Sequence, residues 1–243
     1  MIWERFIFAS DNHGDHGDRH AIDILIRYCD LWKPSIRIHG GDNFDFRPLR
    51  RKASEEERRE LIRADFDAGM QFLDRFKPTH FLRGNHDERL YDLSITNNGI
   101  RSEYATSLID ELEGVLASLK TKTLPYDKRL GVLELGKLRA IHGYCHGVTA
   151  ARKNALTYGS VISGHTHGIQ VSSVEGIDNR VGRVVGCLCD LDMEYSRATM
   201  ASLVHRHGFM SGVVNKKTGE YHVWQAEEIN GTWILPSDIV VMK

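Results

Sequence analysis

Five short clusters of metal-binding residue types punctuate this chain: Asp11-Asn12-His13, Gly41-Asp42, Gly84-Asn85-His86-Asp87, His142-Gly143 and Gly164-His165-Thr166-His167. Carboxylate, amide and imidazole groups are ligands for hard and borderline divalent cations. Each cluster follows an apolar run that reads as a β-strand: Phe6-Ile7-Phe8, Ile36-Arg37-Ile38, His80-Phe81-Leu82, Leu138-Arg139-Ala140-Ile141 and Val161-Ile162. The carboxyl ends of strands in an open α/β sheet border a crevice, so five clusters at five strand ends predict one shared site. Side chains alternate along an extended chain. The spacing therefore predicts that Asp11 and His13 point the same way, and His165 and His167 likewise.

The series resembles the calcineurin-like metallophosphoesterase superfamily, whose pattern is D-x-H, G-D, G-N-H-D/E, H and G-H-x-H, and the resemblance spans residues 11–167. It implies an α/β fold, a four-layer α/β/β/α sandwich of two mixed sheets, around a centre of two divalent metal ions. By that resemblance Asp11, His13, Asp42 and His167 hold one ion, and Asp42, Asn85, His142 and His165 hold the other. The Asp42 carboxylate would bridge, since it can offer one oxygen to each ion. Such an oxygen and nitrogen ligand set suits manganese first, with iron, zinc, nickel or cobalt as alternatives, over calcium or a structural zinc. His146 is a competing donor four residues past His142, which is preferred because it sits at the strand end.

The resemblance also implies a reaction, in which a hydroxide bridging the two metals attacks a phosphate ester and His86 acts as general acid. Asp45 matches the aspartate that orients this histidine in the related Ser/Thr phosphatases; the alternative is a loop carboxylate accepting backbone hydrogen bonds. Arg83 matches an arginine that grips phosphate oxygens in those enzymes, with a surface ion pair as its other reading. The chain departs from their G-D-x-x-D-R-G, reading Gly41-Asp42-Asn43-Phe44-Asp45-Phe46-Arg47, and its third cluster ends in Asp87 rather than Glu. Asp42-Asn43-Phe44-Asp45-Phe46-Arg47-Pro48 is instead similar to the repair-nuclease branch, and the short step from His142 to His165 fits compact phosphodiesterases and nucleases. Arg47, Arg50, Arg51 and Lys52 form a basic run that would track a phosphate backbone. With Glu55, Glu56 and Glu57 following at once, the same run also reads as a solvated loop and helix start. The expectation is a dinuclear metal-dependent phosphodiesterase acting on a nucleic acid or nucleotide. A phosphomonoesterase for phosphoproteins or small phosphates, and a metal-binding scaffold without catalysis, are the alternatives.

The elements that must position these residues alternate strand and helix in the first half. A helix is predicted over 21–32, a second from Ser54 with Glu57 as its capping-box partner, and mostly helix over 88–119 with a break at Asn97-Asn98-Gly99. Hairpins are predicted around Gly136-Lys137 and around Lys216-Lys217-Thr218-Gly219. Residues 194–243 carry no readable motif and are expected to complete the second sheet and wall the groove. His16 and His39 flank clusters and are expected at the pocket rim, whereas His205-Arg206-His207 resembles a metal site in composition but lies outside every cluster.

The 243 residues suffice for a single domain, 1–243, and the formal charge of −1 gives no general attraction to nucleic acid or an anionic membrane. The four cysteines are too few and too scattered for a disulfide framework. Cys187 and Cys189, two apart, could meet a soft metal or be buried thiols in a reducing compartment. The amino terminus lacks a signal-peptide pattern and no run is long enough to span a bilayer, so a cytoplasmic location without membrane contact is expected.

Overall fold

The structure is a computed structural model, and it describes residues 2–192 and 200–236. Strand β1 (Trp3–Ala9) starts the chain, and its last four residues are buried. Helix α1 (Arg19–Trp32) comes next, capped by the Asp18 carboxylate on the Ala21 N–H. Strand β2 (Ile36–His39), helix α2 (Ile62–Phe76) and strand β3 (His80–Leu82) continue the alternation. Helices α3 (Asn85–Ser94) and α4 (Gly99–Ser118) then lead to strand β4 (Lys122–Leu124). Strands β1 to β4 lie side by side and parallel, as crossover connections through helices require.

Strands β5 (Leu133–Leu135) and β6 (Leu138–Ile141) form the first predicted hairpin. Helix α5 (Ala150–Tyr158) carries the chain to β7 (Val161–Ser163), parallel to β6. Strands β8 (Ile169–Val174) and β9 (Arg180–Val185) complete a mixed sheet in the order β5-β6-β7-β9-β8. Strands β10 (Gly208–Asn215), β11 (Tyr221–Ile229) and β12 (Thr232–Ile234) end the described chain.

These last strands join the first sheet, not the second, giving the order β12-β11-β10-β1-β2-β3-β4. The reason lies in burial. β10 is buried on seven of its eight residues, and it takes an interior place by pairing antiparallel with the open edge of β1 on one side and with β11 on the other. Residues 194–199 and 237–243 of that C-terminal stretch lie outside the described residues. The helix expected from Ser54 also differs. Ser54 and Glu57 do exchange their two hydrogen bonds, but they close one 3-10 turn (Glu57–Arg59) and α2 begins at Ile62. Residues 54–60 offer no apolar face to bury, and helices in proteins depend on such a face.

Between the two sheets sits a core that includes Phe6, Phe8 and Ile38 from the first and Leu138, Ala140 and Ile162 from the second. A second cluster packs Phe44, Phe46, Phe66 and Phe81 against Leu108 and Leu112 of α4. Burial of each large side chain contributes roughly 1.5–3 kcal/mol, and this shared core clamps the sheets face to face. Helix α5 lies so close to β9 that a Cβ on Gly182 would meet the Ala151 carbonyl at 1.9 Å. Strand register sets where the loops emerge: Ala9 pairs with His39 and His39 with Phe81, while Ile141 pairs with Ser163. All five clusters thus leave their strands at one edge of the sandwich.

Candidate metal centre

The loops after β1, β2 and β3 bring Asp11, His13, Asp42 and Asn85 to that edge, and those after β6 and β7 add His142, His165 and His167. The alternation argument for the paired side chains does not describe how this happens. Asp11 and His13 have φ of 60° and 49°, Asp42 54°, and His165 and His167 75° and 57°. These are left-handed conformations, unfavourable for residues with a Cβ. Tight left-handed turns, not extended chain, aim both members of each pair at the centre. Strain of this kind persists where surrounding structure enforces it, and it concentrates at functional sites.

Asp42 is the middle of the cluster. Its Oδ1 accepts the His86 N–H at 2.8 Å, at the amino end of α3. Its Oδ2 faces His142 Nε2 at 3.4 Å, His13 Nε2 at 3.9 Å and His86 Nε2 at 3.9 Å. Burial works against its charge, yet His142 and His86 hold the Asp42 carboxyl well below the usual carboxylate range. Asp11 is buried as completely; burial pushes it up to about 6, with His142 opposing and Asp42 adding to the rise. Burial alone would lower His13 and His142, but the neighbouring carboxylates raise each to about 9.

Whether this donor set suits a cation can be judged from the tautomers. His142 Nδ1 donates to the Gly40 carbonyl at 2.9 Å, which leaves Nε2 as a lone pair in the neutral ring. That lone pair lies 3.1 Å from Asn85 Oδ1 and beside Asp42 Oδ2. In that form three electron-rich atoms converge with no donor among them, and the carboxylates that favour a proton on His142 would favour a metal ion in its place. Close by, His13 Nε2 and His167 Nε2 meet at 3.0 Å, with Asp11 Oδ1 3.6 Å from the latter. Donor atoms of Asp11, His13 and Asp42 lie within 4.8 Å of one another, as do those of Asp42, His142 and His165. These carboxylate and imidazole donors are of the kinds that divalent ions take.

His86 projects beside this set. Its Nδ1 donates to Asp45 Oδ1 at 2.5 Å, and its side chain is 13% exposed. Asp45 is fully buried. Burial opposes its ionisation, but the hydrogen bonds and charges of His13 and His86 hold its carboxyl well below the usual range. Burial pulls His86 down against the pull of Asp42 and Asp45. Two further carboxylates set the loop itself. Asp87 accepts the N–H groups of Asp42, Asn43, Phe44 and Gly84 at 2.7–3.1 Å. Asp65 accepts those of Asp45 and Phe46. Gly84 is required for space, since its Cβ would meet Asp42 Oδ1 at 2.1 Å.

Of the arginines singled out in the sequence, Arg47 reaches Asp45, its Nη1 3.6 Å from Oδ2. Arg47 is buried in a two-bond ion pair with Asp15 at 2.9 and 3.0 Å and also bonds Glu60. Arg50 pairs with Glu57. The Arg83 guanidinium lies 3.9 Å from the centre of the Tyr91 ring, with Nε 3.3 Å from Glu88. Nearer the acid is Arg89, whose Nη1 donates to the Asp45 carbonyl at 2.6 Å; its place one turn along α3 from His86 was the available signal. His39 is buried, not at the rim: its Nδ1 accepts the Gly41 N–H at 3.1 Å and Nε2 donates to Asn12 at 2.7 Å. Its neighbours are Phe72 and Phe81, which leave no path to solvent. His16 stays near the surface beside Asp190. His146 is exposed, 3.0 Å from His165 Nε2, and lies outside the cluster that His142 enters. His205 comes to rest against His167, ring centres 5.0 Å apart. Tyr126 stands edge-on to His142 at 5.7 Å.

No protein-family model and no curated protein matches the chain. Among solved structures it is similar to vacuolar protein sorting 29 of Cryptosporidium parvum, at 12% identity over 96% of each chain with a TM-score of 0.50. It is also similar to a metallophosphoesterase of Sphaerobacter thermophilus, at 13% identity over 92% of this chain and 88% of that one (TM-score 0.45). The nuclease MPE of Pseudomonas putida aligns at 17% identity over 76% of this chain and 75% of that one (TM-score 0.38). Two mixed sheets packed face to face, with helices outside and the ordered motif series at one edge, give this chain the fold it shares with vacuolar protein sorting 29.

Proposed function

We propose that the chain hydrolyses phosphodiesters, with a nucleic acid or nucleotide as substrate, at two divalent ions held by Asp11, His13, Asp42, Asn85, His142, His165 and His167, manganese foremost. The observation that carries this reading is the Asp42 carboxylate facing three imidazoles, with His86 oriented beside them by Asp45. The ions, when bound, supply Lewis acidity toward the phosphoryl oxygens and activate water for attack.

The protein's own groups do the rest. Asp45 fixes the Nδ1–H tautomer of His86, so that Nε2 is the atom that exchanges a proton. His86 Nε2 hands that proton to the departing ester oxygen, a contribution of roughly 10²–10⁴ in rate. Asp87 and Asp65 hold the 42–46 loop so that Asp42 and Asp45 keep this spacing. The preference for a diester draws on the arginines. A monoester dianion carries one more charge, and Arg47 and Arg83 are already committed to Asp15, Glu60, Glu88 and Tyr91.

The test is a paired rate measurement on the manganese-loaded protein with an aryl phosphodiester and the matching monoester. Faster diester cleavage is expected, and a His86→Ala variant should lose it with its metals retained. Faster monoester cleavage, collapsing in Arg83→Ala, would replace this reading with a phosphomonoesterase. No turnover of either ester by fully loaded protein would leave a metal-binding scaffold.

A further inference from the structure

We propose that Cys189 gives the deep side of this centre a sulfur donor, so that His13, His167 and Cys189 together take a thiophilic divalent ion. Donor atoms of these three residues lie within 4.8 Å of one another. All three are buried, and Cys189 Sγ stands 3.8 Å from His167 Nδ1. Nitrogen and sulfur donors select zinc- and cadmium-like ions over manganese or magnesium. In a tetrahedral zinc site with ordinary Zn–N and Zn–S lengths, neighbouring donors stand about 3.5 Å apart, so modest side-chain rotation closes the set.

The backbone around the thiol is held in place. His207 Nε2 donates to the Cys189 carbonyl at 3.0 Å, and Glu228 accepts from His207 Nδ1 at 2.8 Å. Cys189 also bridges to Gly17, in the loop that leaves the first cluster. The neighbouring thiol of Cys187 points at the carbonyls of Cys189 and Arg206, away from the two imidazoles. His13 Nδ1 is buried on the far side of the ring, 3.5 Å from Asp45 Oδ1.

Ion binding would break the S–H bond, form a metal–sulfur bond and release one proton to solvent, with no change in oxidation state. His13 and His167 belong to both this set and the oxygen-rich set with Asp11 and Asp42. A thiophilic ion would therefore compete with a hard one for the same imidazoles, and the identity of the bound metal would be set on this side of the centre. The inference does not depend on the diesterase reading, because its readout is a metal–sulfur bond.

The experiment is titration of cobalt(II) into the metal-free full chain, monitored by near-ultraviolet absorption for a sulfur-to-metal charge-transfer band. Cadmium affinity is measured in parallel. Wild type and Cys187→Ser are expected to show the band, and Cys189→Ser to lack it with cadmium affinity lowered roughly tenfold or more. Cobalt bound to the wild type without a sulfur band would overturn the proposal, and that result needs no variant to fold. Survival of the band in Cys189→Ser would overturn it equally.

Discussion

After β2, residues 42–46 are tied down by carboxylates, Asp87 taking the N–H groups of Asp42, Asn43 and Phe44 and Asp65 those of Asp45 and Phe46. The loops after β6 and β7 have no such anchors among these bonds. They rest on the first sheet instead, His142 through its bond to the Gly40 carbonyl and His165 through its N–H on the Asp11 carboxylate at 2.9 Å. Exposure does not follow this division: Asp11, His13, Asp42, His142 and His167 are all buried, while Asn85 and His165, one from each half, are half-buried. One half of the centre is a self-supporting cradle and the other leans on it. A defect in the cradle should cost both fold and metal, and a defect in the leaning half should cost metal alone.

The largest effect should come from Asp87→Ala, which strands four buried N–H groups. At about 1–3 kcal/mol for each unsatisfied group, the loss should reach roughly 4 kcal/mol or more in urea unfolding. A loss under about 1 kcal/mol would break the distinction between cradle and leaning half. Next, His142→Ala should bind one equivalent of metal fewer while still folding cooperatively, and His146→Ala should bind the full complement. Elemental analysis of the two purified variants decides between them, and the reverse outcome would make His146 the ligand.

A smaller effect concerns His39, beneath the cradle. Burial, reinforced by His142, lowers it to about 3 from an ordinary 6.5. The unfolded chain therefore takes up the proton first, and stability present above pH 6.5 should fall as pH drops toward 3. The slope is about 1.4 kcal/mol per pH unit for this group. Comparing unfolding at pH 7 and pH 5 in wild type and His39→Gln isolates it, and an undiminished slope in the variant would assign the effect elsewhere. Smallest in activity should be Arg47→Met, which breaks its ion pairs with Asp15 and Glu60 and removes a guanidinium nitrogen 3.6 Å from Asp45 Oδ2. Stability should fall by about 3 kcal/mol at most, since Asp15 and Glu60 are partly exposed, with kcat/KM on a diester changed only severalfold because Asp45 keeps its bond from His86. A tenfold fall in kcat/KM would return Arg47 to the substrate.

Much of this arrangement could be read in the chain. Strand ends could be placed because an apolar run ending in glycine and a polar ligand type has few other readings, and the helix of 19–32 shows one apolar face. What escaped depends on long-range burial. β10 looks like half of any hairpin until the open edge of β1 is known. Asp87 looks like a variant motif letter, yet its four hydrogen bonds come from residues 84 and 42–44. The arginines were legible as charge but not as partners, because Asp15 and Glu60 lie 32 and 13 residues from Arg47.

The left-handed turns at Asp11, His13, Asp42, His165 and His167 have a consequence for how such a protein can change over generations. Glycine would relieve about 1–2 kcal/mol of backbone strain at each, although at Asp11 and Asp42 it would also strand the N–H groups of His165 and His86. His167→Gly should thus fold into a more heat-resistant metal-free protein than the original. Selection for sturdiness alone would erase the centre one ligand at a time, so persistence of aspartate and histidine at these five turns is itself a record of use.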